Sequence, residues 1–177
     1  MELLDKAVKA LERGELPDDG SPFDSINKEI NFHTSTLIPE NYLPDTESRL
    51  ILYKRVAGAE TKDALTRLQV EMIDRFGLLP DTVKNLFACN DVKLKCTNLG
   101  IPKLDLGENG GTIEFSNQTS IDPQKMITLV QIHKSVFELS GPNSLKISYD
   151  SKEFDNRVDF ANAMLDFLDG TNSELNV

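Results

Sequence analysis

Apolar residues recur along this chain with two different spacings, and the change from one to the other divides it. Leu4, Val8 and Leu11 share a stripe with Leu3, Ala7 and Ala10 beside it, which predicts an amphipathic helix over Met1 to Arg13, ended by Gly14. Residues 15–25 hold Pro17, Asp18, Asp19, Gly20 and Pro22, a composition that cannot bury itself and reads as a linker. From Ile26, Ile30 and Phe32 alternate with Glu29, Asn31 and His33 as a strand does, until Pro39 and Pro44 close the segment. Three helices follow at spacings of three and four. The first starts near Asp45, runs through Leu50, Leu52, Tyr53 and Val56, and stops at Gly58. The second takes Thr61 as its N-cap, buries Leu65, Leu68, Met72 and Phe76, and ends at Gly77. The third begins around Pro80, buries Val83, Leu86, Phe87 and Leu94, and ends near Gly100.

Beyond Gly100 the spacing drops to two. Leu104 and Leu106 alternate, Asn109-Gly110-Gly111 supplies a turn, and Ile113 and Phe115 return, so a β-hairpin is expected. Asp122-Pro123 opens a helix carrying Met126, Ile127 and Val130. A second hairpin runs from Val136 to Leu139, turns at Gly141-Pro142-Asn143, and returns through Leu145, Ile147 and Tyr149. A closing helix buries Phe154, Val158, Ala161, Leu165 and Leu168, and residues 170–177 read as a flexible tail. Helices first and hairpins later imply an α+β fold in which helices pack with small antiparallel hairpins, not a doubly wound sheet. The expected organisation is a helix and linker over 1–25, a single compact domain over 26–169, and the tail.

Length and composition agree with one ordinary domain: 177 residues, 39% hydrophobic and 27% charged. No apolar run approaches the roughly 20 residues that cross a bilayer, and the first helix is too charged for a signal peptide, so a cytoplasmic protein is expected. A formal charge of −10 repels phosphate backbones and suits a basic partner. Cys89 and Cys96 lie seven apart on one expected helix. That is about 10.5 Å of axial rise, beyond the roughly 7 Å limit for a disulfide. Both read as reduced thiols.

Candidate chemistry is sparse. The chain has no GxxxxGK[ST] loop, and Gly110-Gly111 sits in a hairpin turn where positive φ is the simpler need. His33 and His133 are the only imidazoles, and with the two cysteines they do not make a tetrahedral zinc set, so no metal is expected. No serine lies in a nucleophile-elbow pattern, and no base is placed beside either thiol. The 29 acidic residues suggest solvated faces before they suggest an acid–base pair. Within Val70 to Gly77, however, turning Leu65, Leu68, Met72 and Phe76 inward sends Glu71, Asp74 and Asp63 to the opposite arc, alongside Arg67. Glu71 and Asp74, one turn apart, could receive a partner's guanidinium. The plainer alternative is an exposed Arg67–Glu71 pair within the helix.

Several blocks carry a resemblance: Leu37-Ile38-Pro39-Glu40-Asn41-Tyr42-Leu43-Pro44-Asp45, Arg49-Leu50, Leu52-Tyr53-Lys54-Arg55, and the stronger run from Leu68 to Pro80, Leu68-Gln69-Val70-Glu71-Met72-Ile73-Asp74-Arg75-Phe76-Gly77-Leu78-Leu79-Pro80. Lys95, Leu99-Gly100-Ile101, Gly110-Gly111 and Ile113-Glu114-Phe115 follow in order. Over roughly residues 26–168 the chain resembles the C-terminal domain of the bacterial transcription-repair coupling factor family, and Met1 to Arg13 looks like the segment leaving that family's motor. The resemblance implies a DNA-repair protein that recognises stalled RNA polymerase, pushes it with an ATP-driven translocase and recruits UvrA, with ATP and Mg belonging to motor domains that this chain lacks. It implies no cofactor and no active site here. It implies instead an autoinhibitory domain docked on an N-terminal UvrB-like module, masking the UvrA-binding surface, with Glu71 and Asp74 facing that basic module and Asp63 and Arg67 as secondary candidates. A scaffold that recruits a third protein factor through its acidic surface is the competing expectation.

Overall fold

Side-chain oxygens fix where the helices begin. In the computed structural model, which describes residues 29–177, the Asp45 carboxylate accepts the Ser48 backbone N–H at 2.8 Å, and helix α1 (Thr46–Ala57) starts there. Thr61 accepts from the Ala64 N–H at 3.1 Å and starts α2 (Lys62–Phe76). Glycine ends both. The Gly58 N–H reaches the Lys54 carbonyl at 2.9 Å, and Gly77 adopts φ 90°, which a side chain rarely tolerates. Helix α3 (Asp81–Leu99) follows, and its long span is shared between two compact units of the chain.

One unit holds residues 35–91 among those described. Its core is drawn from the stripes anticipated for α1 and α2: Leu52, Val56, Leu65, Leu68 and Met72 are buried, with Val83 and Phe87 from α3. Complete burial of a side chain such as Met72 removes apolar area worth roughly 1.5–3 kcal/mol. Phe76 is only half-buried. Two polar groups tie down the segment before α1. The Tyr53 hydroxyl accepts the Ile38 N–H at 2.7 Å, and the Tyr42 hydroxyl donates to the Gly77 carbonyl at 3.1 Å.

The other unit holds residues 29–34 and 92–177 among those described. Here β1 (Glu29–Asn31), β2 (Lys103–Gly107), β3 (Gly110–Glu114), β4 (Phe137–Gly141) and β5 (Ser144–Ile147) form a mixed sheet in the order β1-β2-β3-β5-β4. β1 runs parallel to β2, and the other pairings are antiparallel. The two expected hairpins therefore merge through β3 and β5, and the short first strand joins the edge. Leu104, Ile113 and Leu145 stand opposite one another across three strands and are buried. Gly111 allows that approach: a Cβ there would run into the Asp105 carbonyl of β2. Helices α4 (Pro123–Ile132) and α5 (Phe154–Asp169) complete the unit.

The α+β class is the one expected, with five helices and a mostly antiparallel five-stranded sheet among the described residues. The details of burial differ. On α4 it is Leu129 that is fully buried, while Ile127 is 46% exposed, because two residues are about 200° of helical turn and the two side chains leave on nearly opposite faces. On α5, Phe160, Met164 and Phe167 join the anticipated core, and Phe160 stacks on Tyr149 at 4.1 Å between ring centroids. Leu175, in the segment read as a tail, is buried. The anticipated N-terminal helix and linker lie outside the described residues.

Candidate protein-docking face

Helix α2 is amphipathic, and its outward arc follows from its inward one. With Leu65, Leu68 and Met72 buried, steps of 100° send Asp63, Arg67, Val70 and Asp74 to the opposite side and leave Glu71 and Ile73 at its two margins. All four candidate residues lie on this helix, but they stand in different states.

Glu71 is already held within its own unit. Arg55, in the last turn of α1, donates Nη1 to Oε1 at 2.8 Å and Nη2 to Oε2 at 2.6 Å, a two-pronged contact. Arg75, one turn along α2, donates to Oε1 at 3.2 Å. The Arg55 hydrogen bonds, with Arg55 and Arg75 charge behind them, hold the Glu71 carboxyl down at about 2, and the same bonds raise the Arg55 guanidinium further above its ordinary value. Arg75 also lies over the Phe76 ring at 4.9 Å, and Phe76 meets Tyr42 edge to face at 6.0 Å.

Arg67 does not pair with Glu71. It donates to Asp63, four residues earlier, at 2.6 Å, and both side chains are largely exposed. The arginine from α1 occupies Glu71, so the alternative of an Arg67–Glu71 pair within the helix gives way to a pairing one turn upstream. Asp74 is exposed and makes no ion pair or side-chain hydrogen bond among the described residues. Around it lie apolar side chains turned to solvent: Val70 53%, Ile73 40% and, just past the helix, Leu78 86% exposed.

Beside Glu71 an open groove of about 600 Å³ runs between α1 and α2, with Ile51, Ala64 and Leu68 along it and Lys54, Arg55 and Arg67 at its margins. Arg55 and Arg75 were not singled out from the sequence. Arg75 was accessible as the residue four beyond Glu71. Arg55, sixteen positions away on another helix, left no local signal.

Other reactive groups are quiet. Burial pushes the Cys89 thiol up to about 12, and Cys96 is buried. His33 Nε2 lies 2.8 Å from Asp105 in an exposed pair. Among the described residues no cluster of three or more His, Cys, Asp or Glu is placed to hold a metal ion, and no helix is long and apolar enough to cross a membrane. The outward face of α2 can offer an unpaired carboxylate, a guanidinium-held carboxylate and an apolar strip. That combination suits recognition of a protein surface.

Residues 32–126 match the TRCF domain family. The chain is 41% identical over 160 residues to the transcription-repair-coupling factor of Haemophilus influenzae and 38% identical over 160 residues to that of Escherichia coli. Each alignment covers 90% of this chain and 14% of the relative, so the chain spans a small fraction of the length of those proteins. Its fold is similar to the crystal structure of a C-terminal domain of transcription-repair coupling factor, with a TM-score of 0.64 and 21% identity, over 82% of this chain and 96% of that one.

Proposed function

The chain belongs to the TRCF domain family, the C-terminal domain of transcription-repair coupling factors, and from that premise we propose that it is a non-catalytic regulatory domain that docks on the UvrB-like N-terminal module of its parent protein. In this reading the docked domain covers the surface that recruits UvrA. Release of the dock, when the motor engages DNA and stalled RNA polymerase, exposes that surface in the bacterial cytoplasm.

The observation that supports this reading is the state of Asp74. It is an exposed carboxylate without an ion pair among the described residues, set among exposed Val70, Ile73 and Leu78. An isolated surface acid is ordinarily surrounded by other polar groups, and an apolar strip left to solvent marks an interaction site when it is grouped. The net charge of −10 favours a basic counterpart and steers its approach. Glu71 contributes a second carboxylate one turn away, and the Asp63–Arg67 pair marks the far end of the same arc.

Tethering makes a weak contact sufficient. A domain joined to its target by a flexible connection meets it at an effective concentration on the order of millimolar. A dock of modest affinity then holds the parent protein closed, and a shift of a few kcal/mol opens it.

The test is binding of the 177-residue chain to the parent coupling factor lacking this domain. Asp74→Ala should weaken binding about fivefold, the scale of one charge contact at an interface rim. Deleting the domain from the full-length protein should raise its affinity for UvrA. Equal binding of wild type and Asp74→Ala, with no gain in UvrA affinity on deletion, would remove the docking role.

A further inference from the structure

Glu71 is a docking carboxylate whose seat is already taken. Arg55 fills both of its oxygens, at 2.8 and 2.6 Å, and Arg75 adds a third bond at 3.2 Å. A carboxylate has about four lone-pair sites. A second guanidinium cannot lie fork-on-fork against Glu71 while Arg55 does so. The seat is nevertheless open to solvent, since the Arg55 and Glu71 side chains retain 44% and 35% of their exposure. Water screens such a pair, and its hold is modest.

Resting on the docking role proposed above, we propose that Arg55 is an internal competitor: a guanidinium-bearing protein surface docks on this face by exchange, its arginine displacing Arg55 from Glu71.

The surroundings equip the site for that exchange. The groove beside the pair, lined by Ile51, Ala59, Ala64 and Leu68, gives the displaced Arg55 room to lie with its methylene stem on apolar atoms and its head in water. Arg75 is steadied over the Phe76 ring at 4.9 Å and stays on the same helix as Glu71, so it holds the carboxylate ionised and aimed while Arg55 leaves. Asp74 requires no exchange. Two acids one turn apart therefore act differently: Asp74 is open to the incoming cation from the outset, and Glu71 becomes available only in the fraction of molecules whose Arg55 has let go. The apparent affinity is lowered by that fraction.

A double-mutant cycle on the 177-residue chain tests this, with binding to the parent coupling factor lacking this domain as the readout. Under exchange, Arg55→Ala tightens binding about two- to fivefold, the range set by exposed ion pairs. The gain disappears in the Glu71→Ala background, because no seat remains to be vacated. Arg55→Lys keeps the charge, loses the fork and gives a smaller gain. Thermal melts of each variant establish that it is folded.

If Asp74→Ala weakens binding but Arg55→Ala leaves it unchanged or weaker, docking stands and exchange is overturned. A gain that persists undiminished in Glu71→Ala is a general charge effect, and it overturns exchange as well. If neither Asp74→Ala nor Glu71→Ala alters binding, the docking role itself fails and exchange falls with it.

Discussion

Arg49 and Arg157 perform the same act at the fourth residue of their helices. Each is almost fully buried, and each donates Nη1 to the carbonyls five and six positions upstream: Pro44 and Leu43 for Arg49, Lys152 and Ser151 for Arg157. A cation near a helix N-terminus faces the positive end of the macrodipole. Backbone carbonyls of the incoming segment offset that cost, so each arginine folds the chain before the helix back over the first turns. Arg157 extends further, from Nη2 to the Phe32 carbonyl at 3.1 Å, and joins α5 to the residue that follows β1.

Replacing Arg157 with Met keeps most of the volume and leaves three carbonyls without that donor, the one of Phe32 buried and those of Ser151 and Lys152 partly so. The expected loss is about 2–3 kcal/mol, the scale of buried polar groups left unpaired. Arg49→Met should cost less, because its second guanidinium nitrogen meets only Thr46 at 3.3 Å and an exposed Glu40 at 3.7 Å. Urea unfolding checks the order: the Arg157→Met midpoint should fall further than that of Arg49→Met, with the slope unchanged.

The Glu71 carboxyl titrates at about 2 when folded, against an ordinary 4.5. A depressed folded value means that the unfolded chain takes up the proton first as pH falls. The stabilisation from this group is full above the ordinary value and is lost as pH drops from about 4.5 towards 2. Asp45, held below its ordinary value by its hydrogen bonds to Ser48, acts in the same direction. Thermal midpoints of wild type and Glu71→Gln should therefore converge as the pH is lowered through that window. A constant gap between the two would refute the assignment.

Two glycines should respond very differently to a methyl group. Gly77, at φ 90° and ψ −167°, has open space where a Cβ would go. Gly77→Ala carries only backbone strain, on the order of 1–3 kcal/mol, and should remain folded with a lower melting temperature. At Gly111 a Cβ would overlap the backbone of Asp105 in the neighbouring strand. Gly111→Ala should abolish the cooperative melt followed by near-ultraviolet circular dichroism, and equal melting temperatures for the two variants would contradict this account.

Local chemistry was legible in the sequence where the cause was local. Asp45, Thr61 and Asp122 cap the helices that they were expected to open, and Gly58 and Gly77 end the two helices before them. The second turn falls at Pro142-Asn143 within its anticipated stretch, whereas the first is Glu108-Asn109, one position ahead of the anticipated Asn109-Gly110-Gly111, because Gly110 and Gly111 pair as residues of β3. What escaped depends on partners far along the chain. Hydropathy places Arg49 and Arg157 at the surface, and only the folded path of the backbone supplies the carbonyls that let them be buried. The pairing of β1 with β2 is parallel and long-range, so no turn announces it. At the candidate site, helical spacing located Glu71 and Asp74 on α2 but suggested Arg67 as Glu71's neighbour. The approach of α1 supplied Arg55 instead.

β1 has one further consequence, for the order in which the chain is made. Its one sheet partner among the described residues, β2, aligns Glu29 with Lys103, and every residue of the 35–91 unit is translated between them. On a ribosome adding roughly 5–20 residues per second, the first strand leaves the exit tunnel several seconds before the edge that it will complete. The helical unit thus has time to form first, and the sheet is finished last, by recruiting a strand made long before.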